Sequence, residues 1–330
     1  MSEYKGIIDC DFIRYAVACA GEKRSIKVIH KQSGREKEFS NRSEFWGRDR
    51  NKSGGWLGEL NKQRDSQFSV DEFDIIDLQT PEPIENVLHS AKLMYEGIIN
   101  KAGVSSAKGF IGKGESFRVD KSTIVKYKDN RKDLIRPIHM QEVTEYLIRK
   151  FNLEVVEGLE VDDRVVMECY KQKNKVLVGV DKDYYSCPVI FFNTNRPEEG
   201  YVNCDCFGKL YLKDKKVRGY GRQHLYWQVA SNDTSDNYAA NSACDTRWGD
   251  KSAYDILVNC NSDKESLEAL KTIYQYLYPE PFEFEGWRGD KIQMDWLYVL
   301  QENWDMARML RFENDDVKIR DVMTKMGIEV

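Results

Sequence analysis

The hydrophobic positions of this chain fall into short apolar runs that end in acids, with helical stretches between them. "KGIIDCDFIRYAVACA" is the first such unit: an apolar strand pattern, Asp9 and Asp11, then apolar residues at helical spacing. "KGFIG", "NLEVVEG", "NKVLVGVDKD" and "PVIFFNT" repeat the strand pattern further on. "PEPIENVLHSAKLMYEGIINKAG" opens on Pro and closes on Gly around apolar residues at helical intervals, which predicts a helix. "RPIHMQEVTEYLIRKF" places Val143, Leu147 and Phe151 four residues apart, another helix. Around "CDCFGKLYLKDKKVRGYG" the pattern reads as a hairpin. Beyond about residue 223 it is mainly helical, with a capping box of Ser262 and Glu265 in "SDKESLEALKTIYQYL".

Strands alternating with helices predict an α/β fold with a mostly parallel central sheet flanked by helices, then a helical C-terminal part. We therefore expect a core over residues 1–222 and a helical part over 223–330. Residues 31–80, polar and Gly-punctuated, read as an inserted or mobile region. In such sheets the functional crevice lies beyond the carboxyl ends of the strands.

Composition narrows the class. The chain has 330 residues, 41% hydrophobic and 32% charged, which suits a globular protein. No apolar run approaches the roughly 20 residues of a membrane span, and "MSEYKGIIDCD" carries no leader pattern. Eight cysteines without framework spacing suit free thiols in a reducing cytoplasm. Cys204 and Cys206 lack a second ligand pair, so they read as neighbours on one strand face rather than a zinc site. The net charge is −5, yet Lys108 to Arg136 holds nine basic residues against four acids, and Lys209 to Arg222 six against one. Basic strips beside acidic foci suggest a polyanionic partner reaching an acidic site.

The acids gather where the crevice would be. Asp9 and Asp11 end one strand, and Asp181 and Asp183 end another. "GLEVDD" puts Glu160, Asp162 and Asp163 within four residues, and "NDTSDN" adds Asp233 and Asp236. So many carboxylates cannot all stay ionised together without cations. Oxygen-rich clusters select hard ions such as Mg²⁺ or Mn²⁺, and a pair of such ions suits in-line displacement at phosphorus. No GxxxxGK[ST] phosphate loop is present.

In order along the chain these motifs resemble the 5′ nuclease superfamily, the flap endonucleases and the 5′–3′ exonucleases of tailed bacteriophages. "IIDCD" resembles the first-strand Asp motif, "FRVDKSTIVKYKDNRK" the segment ending in Tyr-Lys-x-Asn-Arg, and "GLEVDD" the Gly-x-Glu-x-Asp-Asp signature. "VGVDKD" resembles the strand-end Asp-x-Asp, and "NDTSDN" a Gly-Asp-x-x-Asp-Asn motif. "WGDKSAYDIL" resembles the start of a helix-three-turn-helix, and "NWDMARMLRF" also looks like the phage exonucleases. The resemblance implies two ions, Mg²⁺ or Mn²⁺, held by Asp9, Glu160, Asp162, Asp163, Asp181, Asp183, Asp233 and Asp236. It implies that Lys128 and Arg131 meet the scissile phosphate with Phe117 and Arg118 in support, and that Gly249, Lys251 and Ser252 grip duplex phosphates. The substrate it implies is DNA with 5′ ends or flaps, or RNA–DNA primer hybrids, handled by a cytoplasmic monomer with room for a replication-protein partner. Two departures stand out. The family's further Asp after "KGFIG" is missing from "IGKGESFR", where Glu115 is the nearest acid, and Asn232 replaces a Gly. Two alternatives remain open. One is a haloacid-dehalogenase-type phosphatase using Asp9 as nucleophile and Asp11 as acid and base. The other is a non-catalytic DNA-binding relative.

Overall fold

The computed structural model describes residues 4–64 and 67–330; the first residues of the N-terminal motif and positions 65 and 66 of the polar region lie outside it. In chain order, β1 (Lys5–Asp9) and α1 (Asp11–Ala20) are followed by β2 (Glu22–His30), β3 (Glu36–Phe39), α2 (Arg42–Trp46), α3 (Gly55–Lys62) and β4 (Phe73–Pro81). Next come α4 (Ile84–Ala102), β5 (Ser106–Lys113), α5 (Phe117–Lys121), α6 (Met140–Phe151), β6 (Glu154–Glu157) and α7 (Val161–Tyr170). Strands β7 (Lys175–Gly179), β8 (Ile190–Asn193) and β9 (Val202–Asn203) precede a hairpin of β10 (Lys209–Lys213) and β11 (Lys216–Tyr220). Then follow α8 (Arg222–Ala230), the short pair β12 (Asn232–Asp233) and β13 (Tyr238–Ala239), α9 (Asp250–Leu257) and α10 (Asp263–Leu277). The chain closes with β14 (Phe282–Glu285), β15 (Lys291–Met294), α11 (Trp296–Ala307) and α12 (Ile319–Lys325). Among the described residues no helix is long and apolar enough to cross a membrane.

Two compact units emerge, and neither boundary falls at 222/223. The larger comprises residues 1–12, 95–135 and 147–330, so the C-terminal helices cluster with the sheet rather than apart from it. Its six-stranded sheet runs β6-β5-β1-β7-β8-β9, parallel except for β9. The central strands are covered on both faces, which explains their unbroken apolar runs: Ile7, Ile8 and every residue of β7 are buried. Asp9 lies opposite Phe110 of β5, and β1 and β7 run in the same direction. Asp9 and Asp181 therefore leave the sheet at one edge. A second core of the same unit surrounds α8, whose residues from Gln223 to Ala230 are all buried against α9, α10 and α11. β10 and β11 form the expected hairpin, closed by Asp214 and Lys215 at positive φ in a tight two-residue turn. Cys204 and Cys206 lie in the bends after β9 rather than on one strand face. β14 and β15 form a hairpin that the helical pattern did not predict.

The smaller unit, residues 13–94 and 136–146, takes in residues 31–80, read from sequence as an inserted or mobile region, and gives them strands and helices. Its three-stranded antiparallel sheet has the order β3-β2-β4. Ile26 and Val28 of β2, Phe39 and Phe73 point to one side and bury Phe45 and Leu57. Phe45 is fully buried, with the rings of Phe39 and Phe73 centred 5.4 and 5.3 Å away. Phe45→Ala is expected to cost this unit about 3–5 kcal/mol. Amide hydrogen exchange in β2 and β4 should then accelerate accordingly, and unchanged protection would show that the aromatic cluster is not the unit's core.

Candidate functional site

Four segments of the larger unit bring their carboxylates together: the end of β1, the start of α7, the turn after β7, and the loop between β12 and β13. The hub on the sheet side is Tyr184, fully buried in the turn Lys182–Ser186. Its hydroxyl lies 3.0 Å from Asp9 Oδ2 and also contacts Asp162 Oδ1. A phenol carries one proton, so it can donate to only one of two carboxylates at a time. Asp9 Oδ1 accepts from the Asp11 amide at 2.8 Å. Asp181 caps the turn, accepting from the Asp183 amide at 2.9 Å, and Asp183 accepts from the buried Gln228 at 2.6 Å.

No Lys or Arg pairs with Asp9, Asp162 or Asp181 among the described residues, and the consequence is electrostatic. Burial, with Asp11 and Asp181 nearby, pushes Asp9 up to about 7. Burial and the neighbouring Asp9, Asp181 and Glu160 hold Asp162 well above the usual carboxylate range, and burial with Asp181 does the same to Asp183.

The other acids are neutralised from within the chain. Asp163, fully buried, takes both guanidinium arms of Arg118 at 2.5 and 2.9 Å and the Leu310 amide at 2.9 Å. Glu160, at the N-cap of α7, accepts from Arg118 at 3.2 Å, from the Tyr127 hydroxyl at 3.0 Å and from Lys128. Burial opposes its charge, but Arg118 and Lys128 outweigh burial and hold Glu160 below its ordinary value. Asp233 pairs with Lys182 at 3.1 Å and accepts the Ser235 and Asp236 amides at 2.7 and 3.1 Å. Asp236 meets the Tyr127 hydroxyl and Arg131, each at 2.9 Å, and Lys128 at 3.5 Å. Burial still raises it.

This arrangement sorts the expected site residues. Lys128 and Arg131 do stand at the carboxylates; Lys128 adopts a left-handed backbone (φ 57) and its amide donates to the Asp236 carbonyl. Arg118 does not fit the expected role in phosphate support: at 1% exposure, with its donors spent on Asp163, Glu160 and the Met306 and Arg308 carbonyls, it cannot reach a ligand. Asp163 shares that correction, because both its oxygens are taken. Phe117 is half-buried beside them, with the Arg118 guanidinium 4.9 Å from its ring. Glu115 is exposed. Instead Asp11 reaches the end of β5 and accepts the Gly112 amide at 2.9 Å. Gly249 caps α9 without a side-chain bond, Ser252 is half-buried, and Lys251 is exposed and pairs with Asp255 at 2.8 Å. α9 and α10 are joined through residues 258–262; this is a helix pair, and nothing in its geometry alone marks a duplex-gripping motif.

Oxygen donors, burial and mutual repulsion suit Asp9, Asp162, Asp181 and Asp183 to a hard divalent cation. As placed, however, no three His, Cys, Asp or Glu side chains among the described residues converge as an ion's ligands would. Each is turned toward a donor of the chain itself. The sequence reading missed Tyr184, Lys182 and Gln228, and for Tyr127 it weighed core packing and base stacking but not a bond to the carboxylates. The one local signal for Tyr184 was its place directly after the strand-end Asp-x-Asp.

The raised Asp9 sets a pH dependence. Folded, Asp9 keeps its proton to about pH 7, whereas the unfolded chain releases it near pH 4. The folded state therefore binds more protons across that window, and stability in chelator should fall as pH rises from 4 to 7, by up to about 4 kcal/mol for this group. Urea unfolding at several pH values should show that fall, and Asp9→Asn should lessen it, the rest coming from Asp162 and Asp183, which are raised as well; an equal slope in the variant would remove Asp9 as a source. Separately, Asp163→Asn should cost about 3–5 kcal/mol, because it strands a buried guanidinium.

No family model and no curated protein matches this sequence. Among solved structures the chain is similar to the D15 protein of bacteriophage T5 co-crystallised with metal ions, at 14% identity over 73% of this chain and 91% of that one, with a TM-score of 0.40. It is also similar to a pseudo-enzyme–product complex of the bacteriophage T5 D15 flap endonuclease with DNA and metal ions, at 15% identity over 72% of this chain and 88% of that one, with a TM-score of 0.41. A likeness this shallow assigns no role to any residue.

Proposed function

We propose that the chain is a divalent-metal-dependent 5′ nuclease that hydrolyses phosphodiester bonds in DNA. The observation that carries this reading is the split of one carboxylate cluster. Asp9, Asp162 and Asp181 have no cationic partner among the described residues, while Lys128 and Arg131 stand across the cluster on Glu160 and Asp236. An acidic pole beside a basic pole suits a substrate that brings phosphate to a metal.

Asp9, Asp162, Asp181 and Asp183 would hold Mg²⁺ or Mn²⁺, which supplies an activated water and charge stabilisation at phosphorus. The remaining work falls to the chain. Tyr184 fixes Asp9 and Asp162 relative to each other. Lys128 and Arg131 exchange their carboxylate partners for phosphate oxygens, and they stabilise charge that grows toward the transition state. Arg131 is the more accessible, with 46% of its side chain exposed against 24% for Lys128. Gly249, Lys251 and Ser252, at the uncapped start of α9, would meet backbone phosphates. RNA–DNA hybrids are included in the proposed substrates, as are 5′ ends and flaps.

The phosphatase alternative uses Asp9 as nucleophile. Asp11, which that chemistry needs as a mobile acid, is tied to the Gly112 amide. That favours the nuclease.

Asp181→Asn is expected to abolish cleavage of 5′-labelled duplex, flap and primer-hybrid substrates in Mg²⁺ while leaving DNA binding in chelator largely intact. Full cleavage by the variant, or cleavage by the native chain in excess chelator, would contradict the metal-dependent reading. Lys128→Ala should lower the single-turnover rate by about a hundredfold, as loss of a transition-state cation does. If only affinity changed, Lys128 would be a binding residue.

A further inference from the structure

Between the β10–β11 hairpin and helices α8 and α9 lies a groove of about 850 Å³. Tyr211, Leu212 and Val217 of the hairpin line it, and Lys182 lies at its boundary with the carboxylate cluster, bonded to Asp233 at 3.1 Å. His224 and Trp227 of α8 line it as well, their rings stacked at 15° with centroids 5.5 Å apart. His224 is 4% exposed, and its Nδ1 has no hydrogen-bond partner.

Most of the basic side chains around the carboxylates are paired. Lys213, Lys215, Lys216 and Arg218 of the hairpin have no carboxylate partner among the described residues. Lys215, Lys216 and Arg218 line the groove itself. Four like charges on a stiff two-stranded arm repel one another, and an anion laid along them relieves that repulsion. Tyr211 is 37% exposed and Leu212 50% exposed, so the same wall also offers large apolar surface to water.

We propose that this groove binds a single-stranded segment of nucleic acid, with its phosphates on Lys215, Lys216 and Arg218 and its bases against Tyr211 and Leu212. The direction of the strand, toward Lys182 and the carboxylates, rests on the nuclease reading; the binding itself does not. A single strand is favoured over a duplex because a duplex hides its base faces in the stack, whereas a single strand offers them to aromatic side chains. A cavity of this size accepts a ligand on the order of two nucleotides. An acidic peptide would use the cations but not the aromatic wall.

Fluorescence anisotropy of labelled short oligo(dT) in chelator tests this without cleavage. The native chain should bind with strong salt dependence. Tyr211→Ala should weaken binding about tenfold, the scale of one lost base stack. The double variant Lys216→Glu, Arg218→Glu should weaken it further and lower the slope of log affinity against log salt by about two. Both changes lie on the outer hairpin, so cleavage of a short blunt duplex should stay near native. No binding of oligo(dT) by the native chain, or native affinity in both variants, overturns the groove. Binding lost in the variants alongside no cleavage in any metal would keep the groove and sink the nuclease reading instead.

Discussion

The site depends on one buried guanidinium. Arg118 donates to Asp163 through both arms, to Glu160, and to the carbonyls of Met306 and Arg308. It thereby ties α5, the start of α7 and the chain leaving α11 into one network within the larger unit. A charge this deep costs several kcal/mol to desolvate, and it is retained only because every donor finds an acceptor. Burial opposes its ionised form, but Asp163 and Glu160 keep it charged. The α7 start, and with it Glu160 and Asp162, is thus placed by a contact that no ligand needs to complete.

That anchor also divides the acids. Arg118, Lys128, Arg131 and Lys182 satisfy Asp163, Glu160, Asp236 and Asp233. Asp9, Asp162 and Asp181 receive only hydroxyl and backbone donors, so their repulsion stays unspent. Of the four cations, Arg118 is locked, whereas the other three are partly exposed on ion pairs that an incoming anion can replace. Lys182 faces both the cluster and the groove beneath the hairpin, so the two share a boundary residue.

The sheet was legible because its strands are buried on both faces. β1, β5, β7 and β8 read as apolar runs, and the acids at their ends followed from direction alone. The smaller unit was not legible. β2 and β4 pair residues some fifty positions apart, and their alternating, half-polar faces look like loop until the partner strand is known. Arg118 misled for a related reason. A basic residue inside a basic segment suggests an exposed strip, and only the fold supplies Asp163, 45 positions away, to bury it. Tyr184 was hidden because one phenol beside an Asp-x-Asp carries no pattern; its role comes from Asp9 and Asp162, distant in sequence and adjacent in space.

The ends of β1 and β5 show how residues distant in sequence become neighbours in space. β1 and β5 are adjacent and parallel, with Asp9 opposite Phe110. Two residues past Asp9 on one strand and two past Phe110 on the other therefore arrive at neighbouring points of the same edge. Asp11 stands at one of them and Gly112 at the other, joined by the 2.9 Å bond from the Gly112 amide. A side chain added at Gly112 would meet Asp11 Oδ2 at 3.0 Å and Val161 at 3.1 Å, so glycine there leaves the room that Asp11 uses. Asp11 thus places a carboxylate beside the end of β5. Its charge is felt where it matters, since Asp11 is the nearest ionic cause of the raised Asp9. Glu115, the acid closest in sequence, is exposed.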